Sequence, residues 1–345
     1  MYLCSSRVNL DSIKTSIDQK DSSFDVKLVE LYVPSLPQLP PEMHTTKNLP
    51  FNLIPTLVKA FQMSTSSFSD ILNSVKPDLL IYDLFQPWAP KLASSKNIPS
   101  VYFSTVGATS YTFYHHVYTM GIGSPFPYPT LYLKDHEWVD VSDPGVTQSI
   151  KGGDEDDFAF GILTMSDDIV LVKSSREVEE KYIDYLSVLS KKQIVHTEEE
   201  LPVWFIETVK ERGLVIPGWA PQTKILAHPS VGGFVSHCGW SSVTESMYFG
   251  VPVIAMPMRS EQPINARLLV EAGVGVEVEK DGNGHFVGED VAKAINKVIV
   301  EKEFYEGMRD RAKRLSEKIK ENAEQEMNEV AEQLLRICMK NKKQV

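Results

Sequence analysis

WAPQTKILAHPSVGGFVSHCGWSSVTESMYFGVPVIAMPMRSEQ, residues 219–262, decides how this chain is read. Val231–Ser236 has the pattern of a short buried strand and runs directly into Gly239-Trp240-Ser241-Ser242. Gly232, Gly233 and Gly239 permit tight turns and close backbone approach. Ser241 and Ser242 suit the cap or first turn of a helix, here expected over Ser242–Phe249. A second strand follows at Val253–Ala255, and Glu261-Gln262 opens the next helical pattern. Strand, helix and strand in this order form the unit of a parallel sheet with crossovers.

The alternation continues outward. Leu214–Ile216, Gly233–Val235 and Gly275–Val278 read as further strands, and Ala266–Ala272 and Asp290–Glu301 as helices. In the first half, Val26–Leu31, Leu79–Tyr82, Ser100–Phe103 and Ile169–Val172 read as buried strands. Ile54–Val75 and Ala89–Lys96 read as helices, punctuated by Pro50, Pro77, Pro87 and Pro99. Gly121–Pro129 and the acidic Gly152–Asp157 read as loops. Phe304–Lys343 is charged and helical, with Met327, Val330, Leu334 and Ile337 on one face. It is expected to pack back on the body, with a coiled-coil partner as the alternative. The expected fold class is α/β with two domains, 1–196 and 197–345, although no Pro/Gly linker marks a join at 196.

At 345 residues, 42% hydrophobic and 23% charged, the chain has a soluble, two-domain composition. Its net charge of −11 argues against nucleic acid or an anionic membrane as partner. Cys4, Cys238 and Cys338 are widely spaced, with no zinc-ligand pattern, which fits a reducing compartment and no metal. The opening residues lack signal-peptide character, and no apolar run reaches the ~20 residues that span a bilayer. The expected protein is a cytoplasmic monomer.

Several side chains in the opening stretch carry chemistry. A helix N-terminus after a strand holds a pyrophosphate well, because its N–H groups are free and its dipole is positive there. The bland alternative is an ordinary capped helix. His237, at the strand's carboxyl end, can donate to a phosphate oxygen or be a structural histidine. Glu245 shares a helical face with Ser241 and Ser242 and can accept from a ribose diol, or simply be a surface acid. Trp219 offers an indole face to a flat pyrimidine, with the Gln222 amide and the backbone near Ala220 to read its edge. A core tryptophan is the alternative. Glu261 and Gln262 supply acceptors and donors for sugar hydroxyls, or a helix-opening acid pair. An NAD site is disfavoured, since no G-x-G-x-x-G follows a strand.

Together, in this order, these residues closely resemble the donor signature of plant family 1 UDP-glycosyltransferases. The resemblance implies two Rossmann-like domains facing a cleft, the GT-B arrangement, and a UDP-sugar as donor substrate with no cofactor and no metal. By the same resemblance Trp219 stacks on uracil, Ala220 and Gln222 face the uridine, and Glu245 binds the ribose. His237, Gly239 and Ser242 face the phosphates, Trp240 lines the sugar pocket, and Glu261 and Gln262 bind the sugar. The family has Asn where this chain has Ser241, a shorter donor whose phosphate contact is weaker by about 1 kcal/mol. Leu39–Pro50 (LPPEMHTTKNLP) resembles the branch that adds sugars to existing glycosides, so a small lipophilic glycoside is the expected acceptor.

Asp78–Pro90 (DLLIYDLFQPWAP) resembles the turn that carries the family's catalytic aspartate, here Asp83. The histidine which that aspartate orients, in a Gly-His-x-x-Pro context, has no counterpart. Residues 1–10 resemble the family's second strand, so the chain is expected to start beyond the catalytic loop. His115 and His116 are considered as substitutes at the acceptor cleft, against a loop or helix-surface reading. A second gap is expected at Val195–His196, where the family has a linker and the first strand and helix of its donor domain. Both domains are therefore expected to be incomplete. Two readings follow: an inverting hexosyltransferase, with glucose favoured and rhamnose the alternative, or a non-catalytic remnant that at most binds UDP.

Overall fold

The computed structural model describes residues 1–18, 26–47, 49–121, 123–142, 162–197, 220–282 and 284–342. Trp219, the strand expected at 214–216 and the acidic loop at 152–157 lie outside the described residues.

The elements alternate as an α/β chain does. They are β1 (Tyr2–Ser5), α1 (Arg7–Asp18), β2 (Lys27–Glu30), α2 (Ile54–Gln62), α3 (Thr65–Val75), β3 (Leu80–Tyr82), α4 (Trp88–Ser95), β4 (Ser100–Ser104), α5 (Ala108–Met120) and α6 (Asp135–Ser142). Then come β5 (Ile169–Lys173), α7 (Arg176–Ser190), β6 (Gln193–Thr197), α8 (Gln222–Leu226), β7 (Phe234–Ser236), α9 (Trp240–Phe249), β8 (Val253–Ala255), α10 (Gln262–Glu271), β9 (Gly275–Glu277), α11 (Gly288–Ile299) and α12 (Lys302–Lys342). Three sheets result, in the orders β1-β2, β3-β4-β5-β6 and β7-β8-β9. The pairs β1/β2, β3/β4, β7/β8 and β8/β9 are parallel. The expected join at 196 falls inside β6, whose end at Thr197 is the last described residue before 220.

The chain forms two compact units. The first comprises residues 1–103, 144–170 and 333–345. There the Trp88 ring packs edge-on against Phe68, with centroids 5.2 Å apart, and Asp167 Oδ2 accepts from the Ser100 N–H. Sequence periodicity joins 54–75 in one helix, but the structure breaks it at Met63-Ser64. Ser64 Oγ bonds the Ala60 carbonyl and Thr65 Oγ1 the Gln62 carbonyl, a side-chain competition that ends one helix and starts the next.

The second unit comprises residues 104–143 and 171–332. The β7-β8-β9 sheet buries Ile254 and Val278 against Val298 of α11 and Met308 of α12. Helix α5 is buried at every position from Ala108 to His116. A helix enclosed on all sides has no polar stripe, which is why ATSYTFYHHVYTM carries little helical periodicity. Its first N–H groups are held by the fully buried Glu179 carboxylate, from Thr109 at 2.7 Å and Ala108 at 3.3 Å.

Candidate functional site

Strand β7 ends at Ser236, and α9 begins at Trp240 with Gly239 as N-cap. Ser241 and Ser242 therefore lie in the first helical turn rather than at the cap. Between strand and helix the backbone reverses at Cys238, which has φ +65°. A non-glycine residue there costs roughly 1–3 kcal/mol and persists only where its surroundings hold it. The surroundings do so: the Cys238 N–H donates to Ser236 Oγ at 3.0 Å, and its carbonyl accepts from Asn265 Nδ2 at 2.9 Å. Burial pushes the Cys238 thiol up to about 12, so it is a packing group rather than a nucleophile.

No side chain caps α9. In the space where a cap would sit lies the exposed His237 ring: a Cβ built on Gly239 would meet His237 Nε2 at 2.7 Å. The imidazole thus fills the space beside the Gly239 cap position, and only glycine leaves room for it. One turn into the helix, Gln222 of α8 donates from Nε2 to Ser242 Oγ at 3.2 Å and to Glu245 Oε2 at 2.7 Å. A carboxylate only accepts, so the amide nitrogen must face Glu245 and Gln222 Oε1 is turned away as an acceptor.

The loop before α10 is set similarly. Gln262 Oε1 accepts from the Met258 and Arg259 N–H groups, at 3.0 and 3.2 Å. Two donors fix that orientation, so the Gln262 amide nitrogen is the end presented elsewhere. The Tyr114 hydroxyl donates to the Ser260 carbonyl at 2.8 Å, and Ser260 is itself left-handed at φ +56°. Burial raises the Glu261 carboxyl above the ordinary range, opposed by its own backbone N–H and by nearby His237. His237 and Glu261 are thus electrostatic neighbours.

Trp240 is 4% exposed, and its Nε1 donates to the Lys173 carbonyl at 2.7 Å. Its indole is packed on Gly107, where a Cβ would come within 2.6 Å of the ring. In this chain its side chain is a wedge behind the turn. Ser241 is exposed and Ala220 half-buried. His115 and His116 are buried, not on a loop or helix surface; His116 Nδ1 lies 2.8 Å from the Tyr185 hydroxyl.

Asp83, in the other unit, sits just past β3. Its Oδ1 accepts from the Phe85 N–H at 3.0 Å, an Asx turn, and its own N–H donates to Gln86 Oε1. Burial raises its carboxyl, with the Phe85 N–H and Gln86 opposing. Residues missed from sequence are Ser236, Asn265, Ser110 and Gly107, which hold the turn from behind. Asn265, a polar residue in the mostly apolar segment Pro263–Leu269 that also holds Arg267, is the available signal.

Among the described residues, no group of three or more His, Cys, Asp or Glu is placed to hold a metal ion, and no helix is long and apolar enough to cross a membrane.

The fold and the donor-type turn define a two-domain glycosyltransferase of the GT-B kind. Solved structures share that fold at low identity. A Glycyrrhiza uralensis UGT73P12 complex with glycyrrhetinic acid 3-O-monoglucuronide matches with TM-score 0.78 and 20% identity, over 99% of this chain and 91% of that one. Phytolacca americana UGT2, complexed with UDP-2fluoro-glucose and pterostilbene, matches with TM-score 0.75 and 19% identity, over 96% and 92%. Residues 206–322 match the family described as UDP-glucoronosyl and UDP-glucosyl transferase. The chain is 40% identical to UDP-glucosyltransferase 29 of Panax ginseng, over 99% of this chain and 91% of that protein. It is 32% identical to a flavanone 7-O-glucoside 2''-O-beta-L-rhamnosyltransferase of Citrus maxima, over 99% and 91%. The chain therefore belongs to the plant family 1 UDP-glycosyltransferases. The ginseng alignment covers 414 positions against the 345 residues of this chain, so at least 414 minus 345, or 69, positions within it hold no residue here.

Proposed function

We propose that this chain binds a UDP-sugar at the β7–α9 turn and transfers its hexose, with inversion, to a hydroxyl of a small lipophilic glycoside of flavonoid or terpenoid type. The observation that carries the reading is the hydrogen-bonded group Gln222–Ser242–Glu245 in and beside the start of α9, with the His237 ring against the Gly239 cap position. The N–H groups of that terminus and His237 take the pyrophosphate and stabilise the charge on departing UDP. Glu245 accepts from the ribose, Gln222 Oε1 and the Ala220 backbone meet the uridine, and Trp219 stacks on the base. Glu261 accepts from sugar hydroxyls while the Gln262 amide nitrogen donates to them. Gln262 supports glucose as the sugar, with rhamnose the alternative. In this reading residues 1–196 form the acceptor half and 197–345 the donor half, in a cytoplasmic monomer.

A second reading has its own support. The 69 or more positions absent within the ginseng alignment favour a chain that binds UDP without turnover. Calorimetric titration of the purified chain with UDP, beside Trp219→Ala, tests the donor site. Product detection with UDP-glucose and a flavonoid glucoside then separates the readings. Turnover comparable to a complete relative supports the enzyme, and UDP binding without product supports the remnant. A folded chain that binds no UDP would overturn both.

A further inference from the structure

Asn265, in the first turn of α10, has no solvent exposure, and both ends of its carboxamide are engaged. Nδ2 donates to the Cys238 carbonyl at 2.9 Å, and Oδ1 accepts from Ser110 Oγ at 2.7 Å. The Ser110 hydroxyl can take either role, but a backbone carbonyl only accepts, so the amide nitrogen must face Cys238. Ser110 is itself buried on α5, whose N-terminus is held by Glu179. The clamp therefore has a fixed rear wall.

Its consequence lies on the opposite side of the peptide. In a trans peptide the C=O and the following N–H point in opposite directions. With the Cys238 oxygen turned inward to Asn265, the Gly239 N–H points outward, and it donates to no other group among the described residues. If that peptide turned over, a carbonyl oxygen would face the bound anion in place of an N–H. Ser236 Oγ holds only the preceding N–H, and Gly239 has no Cβ to restrict the peptide.

We infer that Asn265 is a positioning residue that fixes the 238–239 peptide so that its N–H, not its C=O, faces the donor pyrophosphate. The inference rests on the donor-site reading above. Asn265→Asp keeps the size and the acceptor for Ser110, but sets a carboxylate oxygen against the Cys238 carbonyl.

The test titrates the full chain, as wild type, N265D, S110A and E245A, with UDP and with uridine, which lacks the phosphates. UDP affinity falls about tenfold in N265D while uridine affinity holds. S110A moves the same way by a few fold, because the amide loses the contact that orients it. General loosening of the fold would weaken both ligands together. E245A weakens both through the ribose. If E245A does so but N265D and S110A keep the wild-type ratio of UDP to uridine affinity, the role of Asn265 is wrong and the donor site stands. If the wild type binds neither ligand, or E245A changes nothing, the donor-site reading itself fails. Circular dichroism checks each fold, and should N265D not fold, the S110A ratio decides.

Discussion

Gln222 and Glu245, on different helices, are joined by a 2.7 Å hydrogen bond from the amide nitrogen to the carboxylate. The same nitrogen reaches Ser242 Oγ, so one amide ties the uridine end of the proposed site to the first turn of α9. Replacing Glu245 by Ala removes both the proposed ribose acceptor and this tie. UDP affinity is expected to fall by roughly 1.5–3 kcal/mol, the worth of a hydrogen bond to a charged group. Glu245→Gln can still accept from Gln222 and should lose less. Calorimetry of the two variants checks the order, and equal losses would show that the tie to Gln222 is irrelevant.

Gly239→Ala tests the space His237 occupies. The new Cβ meets the far end of a rotatable ring at 2.7 Å, so the ring swings aside at little cost to the fold. Melting should barely move, while UDP affinity falls by about 1.5–3 kcal/mol through the lost imidazole contact. A variant that melts much earlier but binds UDP normally would contradict this.

Gly107→Ala tests a space that cannot open. The Cβ meets the Trp240 ring at 2.6 Å, and that ring is buried and held by the Lys173 carbonyl. Overpacking of this kind costs roughly 1–3 kcal/mol. Urea unfolding of the variant should show an earlier midpoint with an unchanged slope.

Glu261 should make both stability and sugar binding pH-dependent. Its carboxyl is raised in the folded chain, so above the ordinary carboxylate value the folded state holds a proton that the unfolded state has lost. Stability therefore falls as pH rises through that window, and Glu261→Gln should flatten the slope. The ionised acceptor is also lost earlier on acidification than for an ordinary glutamate. Affinity for UDP-glucose should then drop toward that for UDP while UDP affinity holds. An unchanged UDP-glucose preference across the window would rule out Glu261 as a sugar ligand.

Arg267 and Glu137 form a buried ion pair at 2.9 Å, with side chains 5% and 4% exposed. Removing Glu137 leaves the buried guanidinium with the longer 3.6 Å ion pair to Glu277 and the Tyr132 carbonyl, at a cost toward the lower end of roughly 3–5 kcal/mol. Glu137→Ala should lower the denaturation midpoint strongly, and Arg267→Met with Glu137→Leu together should lose much less. A double-mutant cycle by denaturant unfolding measures the difference.

Much of this was legible along the chain. Short apolar runs mark β3, β4, β8 and β9 to within a residue or two, because a parallel strand reads as a near-continuous apolar run bounded by turn residues; it does so even in β3, where Ile81 is exposed. The helix starting at Thr65 was hidden by an unbroken periodic pattern, since serine and threonine bond back to the preceding turn without disturbing that pattern. Helix α5 was hidden for the opposite reason, being buried on every side. The loop or helix-surface reading of His115 and His116 fails with it, because a polar side chain in an unrecognised buried helix reads as surface.

The sequence by itself determined the family and singled out the residues proposed for the donor site, because glycine, histidine, serine and paired acids at fixed spacing around a strand–helix turn are local properties of the chain. Only the tertiary structure decided how those residues are aimed. Which end of Gln222 and Gln262 faces outward, why Cys238 holds a left-handed turn, and why Trp240 acts as a wedge depend on Glu245, the loop N–H groups, Asn265, Lys173 and Gly107. Several of these partners lie far away in sequence, and hydrogen-bond direction at an amide is set by whichever groups surround it in space.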